Sequence, residues 1–260
     1  MNVTLLSDFG TRDGYVAALK GSLLRRAPDA RLIDVTHEIA PGEIASGAFV
    51  LAQAAPHFPP GTVHLAVVDP GVGSDRRAIA CEIDGQRFVA PDNGLLSRVL
   101  DGAQAIRAHE ITKSELWNEP VSPVFHGRDI FAPVAGHLAA GGELEDVGGT
   151  IEPSSLVRLP ESEVRREDGA AVGQVVHVDR FGNLITNLKV DADGVEGVRV
   201  ETAGRTVALR HTYADVPEGE IVALVGSSGR LEIACNGDSA ARVLGASSGS
   251  VVVLRPRGRS

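Results

Sequence analysis

Alternation of apolar strands with helical segments is the feature that most constrains the fold of this chain. Apolar residues predict strands over 3–6, 32–35 and 63–68, and apolar residues at helical spacing predict helices over 15–27 and 44–55. A β-α-β-α-β order places parallel strands side by side, with the helices on the faces of the sheet. The N-terminal domain is therefore expected to be α/β with a largely parallel sheet.

Two more predictions complete the N-terminal domain. Residues 78–83 and 87–90 flank Asp84-Gly85, which is typical of a β-hairpin. Residues 130–140 have helical character, and Pro133 is tolerated there only if the helix starts near Asp129.

The C-terminal part has a different texture. Residues 160–169 are charged and aperiodic, as in an exposed connection. Short β-rich runs then recur at 174–178, 184–186, 197–201, 206–209, 221–225, 231–234 and 251–254. Several short strands separated by Gly and Asp turns indicate a small all-β, barrel-like domain. We expect an α/β catalytic domain over 1–159 and a β-barrel-like domain over 170–260.

Composition excludes several partners. With 25 basic and 34 acidic residues, the chain carries a formal charge of −9, which disfavours nucleic acid and anionic membranes. Cys81 and Cys235 lie in apolar runs, so we expect buried free thiols. The N-terminus lacks the pattern of a signal peptide, and no apolar run reaches the roughly 18 residues of a membrane span. A cytoplasmic protein is expected.

The strand that runs into a Gly-rich loop at 67–76 carries the chemistry that we consider first. Asp69 and Arg76 lie in this loop, and His126 lies in another Gly-flanked turn just before a predicted helix. A carboxylate, a guanidinium and an imidazole together can hold a water, help remove its proton and stabilise the hydroxide that develops. The alternative is a surface ion pair and a histidine bonded to the backbone of its turn. The other seven histidines, His37 among them, are assigned to packing or to the surface.

Further polar residues follow strands. Asp8 ends the first strand, where α/β sheets place carboxylates that accept ribose hydroxyls, although an N-cap or Asx turn fits it too. Asn93 fits either turn chemistry or a brace behind the site. In the second domain, Asp179 and Asn183 could bind the ammonium and carboxylate of a small zwitterion. The run 225–229 offers hydroxyls and backbone N–H groups that suit a carboxylate.

Metal chemistry is an alternative with weaker support. The chain has no His-x-x-x-His and no paired Cys-x-x-Cys. A carboxylate-bridged metal hydrolase stays open, and our prediction is that no metal or cofactor is needed.

The motifs together resemble the S-adenosylmethionine hydroxide adenosyltransferases, relatives of the fluorinating and chlorinating enzymes that use the same substrate. The resemblance covers nearly the whole chain. It rests on residues 7–11, 34–39, 67–76, 91–95, 125–133, 179–187 and 226–234. It implies an α/β domain, a barrel-like domain and a homotrimer with sites between subunits. It also implies that S-adenosylmethionine and water give adenosine and L-methionine.

The resemblance also implies roles for individual residues. The catalytic set falls on Asp69, Arg76 and His126, and the ribose-binding aspartate on Asp8. The methionine-binding positions fall on Asp179, Asn183 and Ser227, with Ser228 and Glu232 nearby, and adenine is expected near Tyr213 and the backbone of 235–237. Asn93, Phe125 and Phe181 complete the predicted substrate-binding set.

Other functions are kept as alternatives. A halogenase-type substitution is disfavoured because a carboxylate at Asp69 repels a halide and hydrogen-bonds a water. A non-catalytic sensor of S-adenosylmethionine or adenosine would have no need for the Asp69, Arg76 and His126 set. An assembly scaffold would tolerate alanine at Asp69 or His126 without any change.

Overall fold

The structure is a computed structural model that describes residues 1–160, 163–190 and 198–255. The chain divides into two compact units, which comprise residues 1–159 and 160–260. We describe each unit by itself.

The first unit contains seven strands and four helices within its described residues. The strands are β1 (Asn2–Ser7), β2 (Arg31–Thr36), β3 (Val63–Val67), β4 (Ala78–Ile83), β5 (Gln86–Pro91), β6 (Ile106–Glu110) and β7 (Thr150–Ile151). The helices are α1 (Tyr15–Leu24), α2 (Ile44–Ala54), α3 (Ser97–Leu100) and α4 (Ala132–Ala139). Helix α4 is entered through a π-helical turn, Gly127–Phe131.

The sheet of this unit is mixed, in the order β2-β1-β3-β5-β4-β6-β7. Strands β2, β1, β3 and β5 pair in parallel, and β5, β4, β6 and β7 pair antiparallel. The chain leaves β1 for β2 on one side and continues from β2 to β3 on the other side of β1. The carboxyl ends of β1 and β3 therefore form a topological switch point, where α/β sheets bind their ligands.

Two hydrophobic layers cover the faces of this sheet. Leu5 and Leu65 point into the layer that contains α1 and α4. Leu6 and Ala66 point into the opposite layer, which contains α2 and α3. Because successive side chains of a strand alternate between faces, strands covered on both sides are apolar throughout. This explains the continuous apolar runs of β1 and β3.

The second unit is an antiparallel barrel-like sheet with one short helix. Its strands are β8 (Arg165–Glu167), β9 (Ala170–Val178), β10 (Leu184–Lys189), β11 (Arg199–Thr202), β12 (Arg205–Ala208), β13 (Ile221–Val225), β14 (Arg230–Cys235) and β15 (Val251–Arg255), and its helix is α5 (Ala240–Leu244). The order is β12-β11-β15-β9-β10-β14-β13, with β8 paired to β9. A bridge between Leu209 and Ala223 links the two ends of the series, so the barrel is nearly closed.

The fold class expected from the sequence is confirmed in both parts, and the differences are local. Helix α1 ends at Leu24 rather than at residue 27, and the helix predicted near 129 opens with the π-helical turn. Part of the predicted connection, Arg165–Glu167, is a strand. The strand predicted at 197–201 is found from Arg199, and residue 197 lies outside the described residues, as do 161 and 162 of the connection.

Cys81 and Cys235 are buried and unpaired, as predicted. Among the described residues, no helix combines the length and apolar character needed to cross a membrane.

Candidate active site

The switch point of the first unit brings two predicted carboxylates to one edge of the sheet. Ser7 of β1 is the register partner of Val67 of β3. Asp8 directly follows Ser7, and Asp69 follows Val67 by two residues. Gly42 completes this edge, since its N–H donates to Asp8 Oδ2 over 2.9 Å and a Cβ at this position would lie 3.7 Å from Cβ of Pro70.

Asp69, Arg76 and His126 form one hydrogen-bonded set. Arg76 Nε donates to both carboxylate oxygens of Asp69 at 3.0 Å, and Arg76 Nη2 lies 2.5 Å from Asp69 Oδ2. The same Nη2 lies 3.0 Å from His126 Nδ1. The side chains of Asp69 and Arg76 are only 5% and 11% exposed, so little bulk water competes with their contacts. The three residues that the sequence predicts as a catalytic set therefore lie together, linked through Arg76.

The protein holds this set from several sides. Asn93 donates through Nδ2 to the carbonyl of Val68 at 2.8 Å, next to Asp69. Gly73 has a φ of +79°, and a Cβ there would lie 2.6 Å from the carbonyl oxygen of Pro123, so only glycine lets the loop approach the segment before His126. The guanidinium of Arg76 lies 5.1 Å from the ring centroid of Phe131, at cation–π distance.

Asn93 therefore acts as a brace within the first unit. Its Oδ1 also accepts from the N–H of Leu95 at 3.2 Å. The brace is one of the two interpretations that the sequence left open, whereas contact between Asn93 and substrate stays a prediction.

The contact with Arg76 defines the tautomer of His126. Because a guanidinium only donates, His126 Nδ1 is the acceptor and the proton of the neutral ring lies on Nε2. Burial, together with the charge of Arg76, lowers the pKa of His126 below 6.5, against the opposing effect of Asp69 and Asp129. His126 is therefore neutral at pH 7. Its Nε2–H has no hydrogen-bond partner in the described part of the chain and is open to an incoming oxygen.

Phe125 belongs to an aromatic cluster beside this set. Its ring lies edge-to-face with Phe9, at a centroid distance of 5.6 Å, and with Tyr15, at 5.4 Å. Arg128 lies over the same ring at 5.0 Å. Phe125 is thus fixed next to His126, and its contact with substrate stays a prediction.

In the second unit, Asp179 and Asn183 stabilise the turn between β9 and β10. Asp179 Oδ1 accepts from the N–H groups of Phe181 and Asn183, both at 2.9 Å, and Oδ2 accepts from Asn183 Nδ2 at 3.0 Å. This turn projects the ring of Phe181 outward, where the residue is 77% exposed. An aromatic ring held in solvent by a well-bonded turn is typical of a recognition site.

Tyr213 and Glu232 form a pair across the same face. The Tyr213 hydroxyl donates to Glu232 Oε1 over 2.7 Å, and Glu232 is 8% exposed. Burial raises the pKa of Glu232, assisted by the charge of Asp179 and opposed by the hydrogen bond from Tyr213. Burial and the hydrogen bond to Glu232 raise the pKa of Tyr213 to about 12. A buried carboxyl near a second carboxylate is suited to a cationic ligand group.

Two adjoining clefts occupy this face and share Phe181, Asn183 and Tyr213. One, of about 390 Å³, is acidic and contains Asp179, Glu232 and Ser227. The other, of about 550 Å³, is lined mainly by apolar atoms and is bounded by 235 and 237–239. Ser228 follows Ser227 in the turn between β13 and β14 but does not line either cleft.

No group of three or more histidine, cysteine or acidic side chains placed to hold a metal occurs in the described ranges.

Sequence reasoning missed a histidine beside Asp8. His37 was assigned to packing or to the surface, but it is hydrogen-bonded to Ser7 at 2.7 Å and to Asp34 at 3.2 Å. One signal could have identified this role. In a sheet of this order β1 and β2 are neighbours, so the segment with Asp34 and His37 is expected to lie in space beside the motif that starts at Ser7.

An α/β unit with polar loops at its switch point, followed by a small antiparallel barrel with two clefts, defines a two-unit ligand-binding protein. Family models identify the class more closely. The model of the SAM hydroxide adenosyltransferase N-terminal domain matches residues 3–148, and that of the C-terminal domain matches residues 173–253. The chain belongs to the SAM hydroxide adenosyltransferase family.

Individual relatives agree with this assignment. The chain is 46% identical to a protein of Salinispora tropica named (R)-S-adenosyl-L-methionine hydrolase, over 95% of each chain. It is similar to a crystal structure of a conserved protein from Thermotoga maritima, with a TM-score of 0.89, 38% identity and coverage of 97% and 99% of the two chains. A more distant relative, 30% identical over 92% of this chain and 91% of its own, is named fluorinase and comes from Nocardia brasiliensis.

Proposed function

We propose that this protein hydrolyses S-adenosyl-L-methionine to adenosine and L-methionine. The observation that carries the proposal is the buried Asp69–Arg76–His126 set, whose geometry suits one water at the switch point. The name of the Salinispora tropica relative supports the same reaction. Water, positioned by this set, supplies the oxygen that attacks ribose C5′.

The reaction needs little beyond a positioned nucleophile. A C5′–O bond forms as the C5′–S bond breaks, and the sulfur keeps the electron pair as the neutral thioether of methionine. Because a sulfonium is an excellent leaving group, no acid is required to expel it. The attacking water is held near the buried carboxylate of Asp69, and the Nε2–H of His126 donates to its oxygen. The proton that the water loses is taken up by this set.

Water is preferred to halide for an electrostatic reason. The carboxylate of Asp69 lies beside the proposed position of the nucleophile. A carboxylate accepts a hydrogen bond from water but repels an anion. The ion pair with Arg76 fixes this carboxylate in a site with little solvent. Halogenation is therefore the weaker candidate for this chain.

The remaining site residues are assigned to substrate recognition. Asp8 accepts the ribose hydroxyls through Oδ1, because Oδ2 already accepts from the N–H of Gly42. In the second unit, the acidic cleft takes the methionine part, with Asp179 and Glu232 facing the ammonium and Ser227 facing the carboxylate. The larger, apolar cleft takes adenine, against Phe181 and Tyr213.

The chemistry and composition also bear on cofactor and compartment. Sulfonium departure requires neither metal nor cofactor, so we propose that none is used. Two buried, unpaired thiols suit a reducing compartment, and we place the protein in the cytoplasm.

We further propose a homotrimer in which each site combines the first unit of one subunit with the second unit of its neighbour. The support is the family resemblance, together with exposed apolar side chains beside the catalytic set, Tyr15 at 52% and Val124 at 74%. Co-expressing the impaired variants Asp69→Ala and Asp179→Ala, assayed at substrate concentrations well below KM, tests this arrangement. The mixture as a whole should regain about a quarter of wild-type activity, because random assembly of the two variants leaves about that share of all sites intact. Mixtures as inactive as the two parents would contradict it.

Product analysis tests the reaction itself. Purified protein is incubated with S-adenosyl-L-methionine, with and without chloride or fluoride, and products are separated by chromatography. We expect adenosine and methionine in equal amounts, unchanged by halide. A 5′-halo-adenosine would identify a halogenase, and tight binding without any product would identify a sensor.

A further inference from the structure

A chain of four hydrogen-bonding groups lies behind Asp8. Lys20 Nζ lies 2.7 Å from Asp34 Oδ2, and Asp34 Oδ1 lies 3.2 Å from His37 Nε2. His37 Nδ1 lies 2.7 Å from Ser7 Oγ, which accepts from the N–H of Phe9 at 3.3 Å. Ser7 and Phe9 are the two neighbours of Asp8, so this chain holds the backbone on both sides of that carboxylate.

The chemistry of each group sets the direction of every hydrogen bond. Although burial opposes it, the hydrogen bonds from Lys20 and His37 lower the pKa of Asp34, which is therefore a charged acceptor at neutral pH. Because Asp34 accepts, His37 Nε2 carries the proton of this contact, and in that tautomer Nδ1 accepts from the Ser7 hydroxyl. Ser7 and His37 are 0% and 3% exposed, so water cannot replace these contacts.

Ser7 is not a nucleophile in spite of this serine–histidine–aspartate order. Its hydroxyl is fully buried, and its oxygen is engaged by the N–H of Phe9. The segment 36–38 is also tied to the Asp8 turn, because the N–H of Gly10 donates to the carbonyl of His37 at 2.7 Å. The arrangement fixes a turn and leaves no reactive group exposed.

We propose that His37 is a positioning residue, which acts through Ser7 to aim Asp8 at the ribose hydroxyls. This inference rests on the proposed function of Asp8. Asp8 Oδ2 is fixed by Gly42, and Oδ1 has no hydrogen-bond partner within residues 1–160, 163–190 and 198–255. Asp8 Oδ1 is thus free for a ligand, while His37 and Ser7 hold the backbone on either side. Discrimination between ribose and deoxyribose is the property that this arrangement sets.

The experiment compares the binding of adenosine and 2′-deoxyadenosine by calorimetry in wild type, His37→Gln, Asp8→Asn and the double variant. Glutamine can place its NH2 group as a donor near Asp34, but it then has no acceptor at the position of His37 Nδ1, where Ser7 is bonded. The preference of wild type for adenosine should fall about tenfold in His37→Gln, as expected for loss of a hydrogen bond to a charged group. The double variant should discriminate no worse than Asp8→Asn alone, because both substitutions act on one contact.

A matched control is His64→Gln. His64 is 1% exposed and its Nδ1 lies 2.7 Å from the hydroxyl of Thr4, which is on the same strand as Ser7. The His64→Gln substitution removes a comparable buried hydrogen bond that is not connected to Asp8, so it should leave the preference for adenosine unchanged. If His37→Gln fails to fold, Ser7→Ala removes the same link from the other side and should give the same loss.

Three results would overturn the inference. The first is a folded His37→Gln or Ser7→Ala variant that prefers adenosine as strongly as wild type does. The second is a double variant that discriminates between the two nucleosides less well than Asp8→Asn alone. The third is a wild type that binds both nucleosides equally. These are binding results, so they are separate from a failure of the proposed function, which would appear as absence of adenosine and methionine from wild type.

Discussion

The polar groups of the two units are used differently. In the first unit, Asp69, Arg76 and His126 are largely bonded to each other and shielded from solvent. In the second unit, a buried carboxyl with a raised pKa and an aromatic ring 77% exposed face open clefts. A pre-organised, buried set suits a chemical step, whereas open clefts with unused binding groups suit recognition. The comparison predicts losses of kcat from changes in the Asp69–Arg76–His126 set and losses of affinity from changes in the clefts of the second unit.

The largest effect is expected from Asp69→Asn. The amide removes the charge that pairs with Arg76 and replaces one of the two acceptor oxygens with a donor NH2 group, so the water loses the carboxylate that holds it. We expect kcat to fall about a hundredfold to ten-thousandfold, with a small change in KM, measured by adenosine formation.

Asp92→Asn is the matched control for this variant. Asp92 pairs with Arg77 Nη2 at 2.5 Å, the same distance as in the Asp69 pair, and its side chain is 3% exposed. It should lower the melting temperature but keep kcat in the folded enzyme. Equal losses of kcat in the two variants would remove the distinction between the catalytic ion pair and a structural one.

The pH profile tests His126. Its pKa is lowered, so Nδ1 stays unprotonated at pH 7 and accepts from Arg76; as pH falls through a midpoint below 6.5, Nδ1 takes a proton, the contact with Arg76 is lost and two cations face each other. We expect kcat/KM to be flat near neutrality and to fall toward tenfold per pH unit below that midpoint. His126→Gln should lose this limb, and a wild-type midpoint above 6.5 would contradict the assigned environment.

Glu232→Gln separates binding from chemistry. The substitution keeps an acceptor for Tyr213 and removes the negative charge from the acidic cleft. We expect KM for S-adenosylmethionine to rise about tenfold with little change in kcat. Glu201→Gln, which alters a surface pair with Arg255 in the same barrel, is the control and should change neither constant. A fall in kcat alone would place Glu232 in the chemical step.

Phe181→Leu should have the smallest effect. The ring is exposed, so the melting temperature should stay unchanged, while loss of aromatic stacking weakens adenosine binding about threefold. Calorimetry with adenosine measures this change. Unchanged affinity would remove Phe181 from the adenine cleft.

Strand ends were readable from sequence, whereas contacts between distant segments were not. Asp8 and Asp69 follow apolar runs, and the β-α-β-α-β order predicts that such ends share one edge of the sheet. The role of His37 depends on a contact 30 residues away in the sequence, which no local pattern specifies. The one available signal was the order of the sheet, which makes β1 and β2 neighbours and brings the segment after β2 close to Ser7.

Short elements were the other limit. Helix α3 and strand β7 span too few residues for a period to be recognised, and Arg165–Glu167 is charged throughout, as a linker would be. β8 pairs with β9 in a hairpin closed by Asp168-Gly169, both at positive φ, so this Asp-Gly turn was a local signal that the prediction of a linker passed over. In the antiparallel half of the first sheet, the sequence predicted only the β4–β5 hairpin, whose turn is marked by Asp84-Gly85.

Isotope-labelled water tests the central claim most directly. The reaction is run in water enriched in oxygen-18, and the products are analysed by mass spectrometry. If a water positioned by Asp69, Arg76 and His126 attacks ribose C5′, the label appears in the 5′-hydroxyl of adenosine and methionine stays unlabelled. Unlabelled adenosine, or label in the amino-acid product, would show that the oxygen does not reach C5′ from water and would contradict the mechanism.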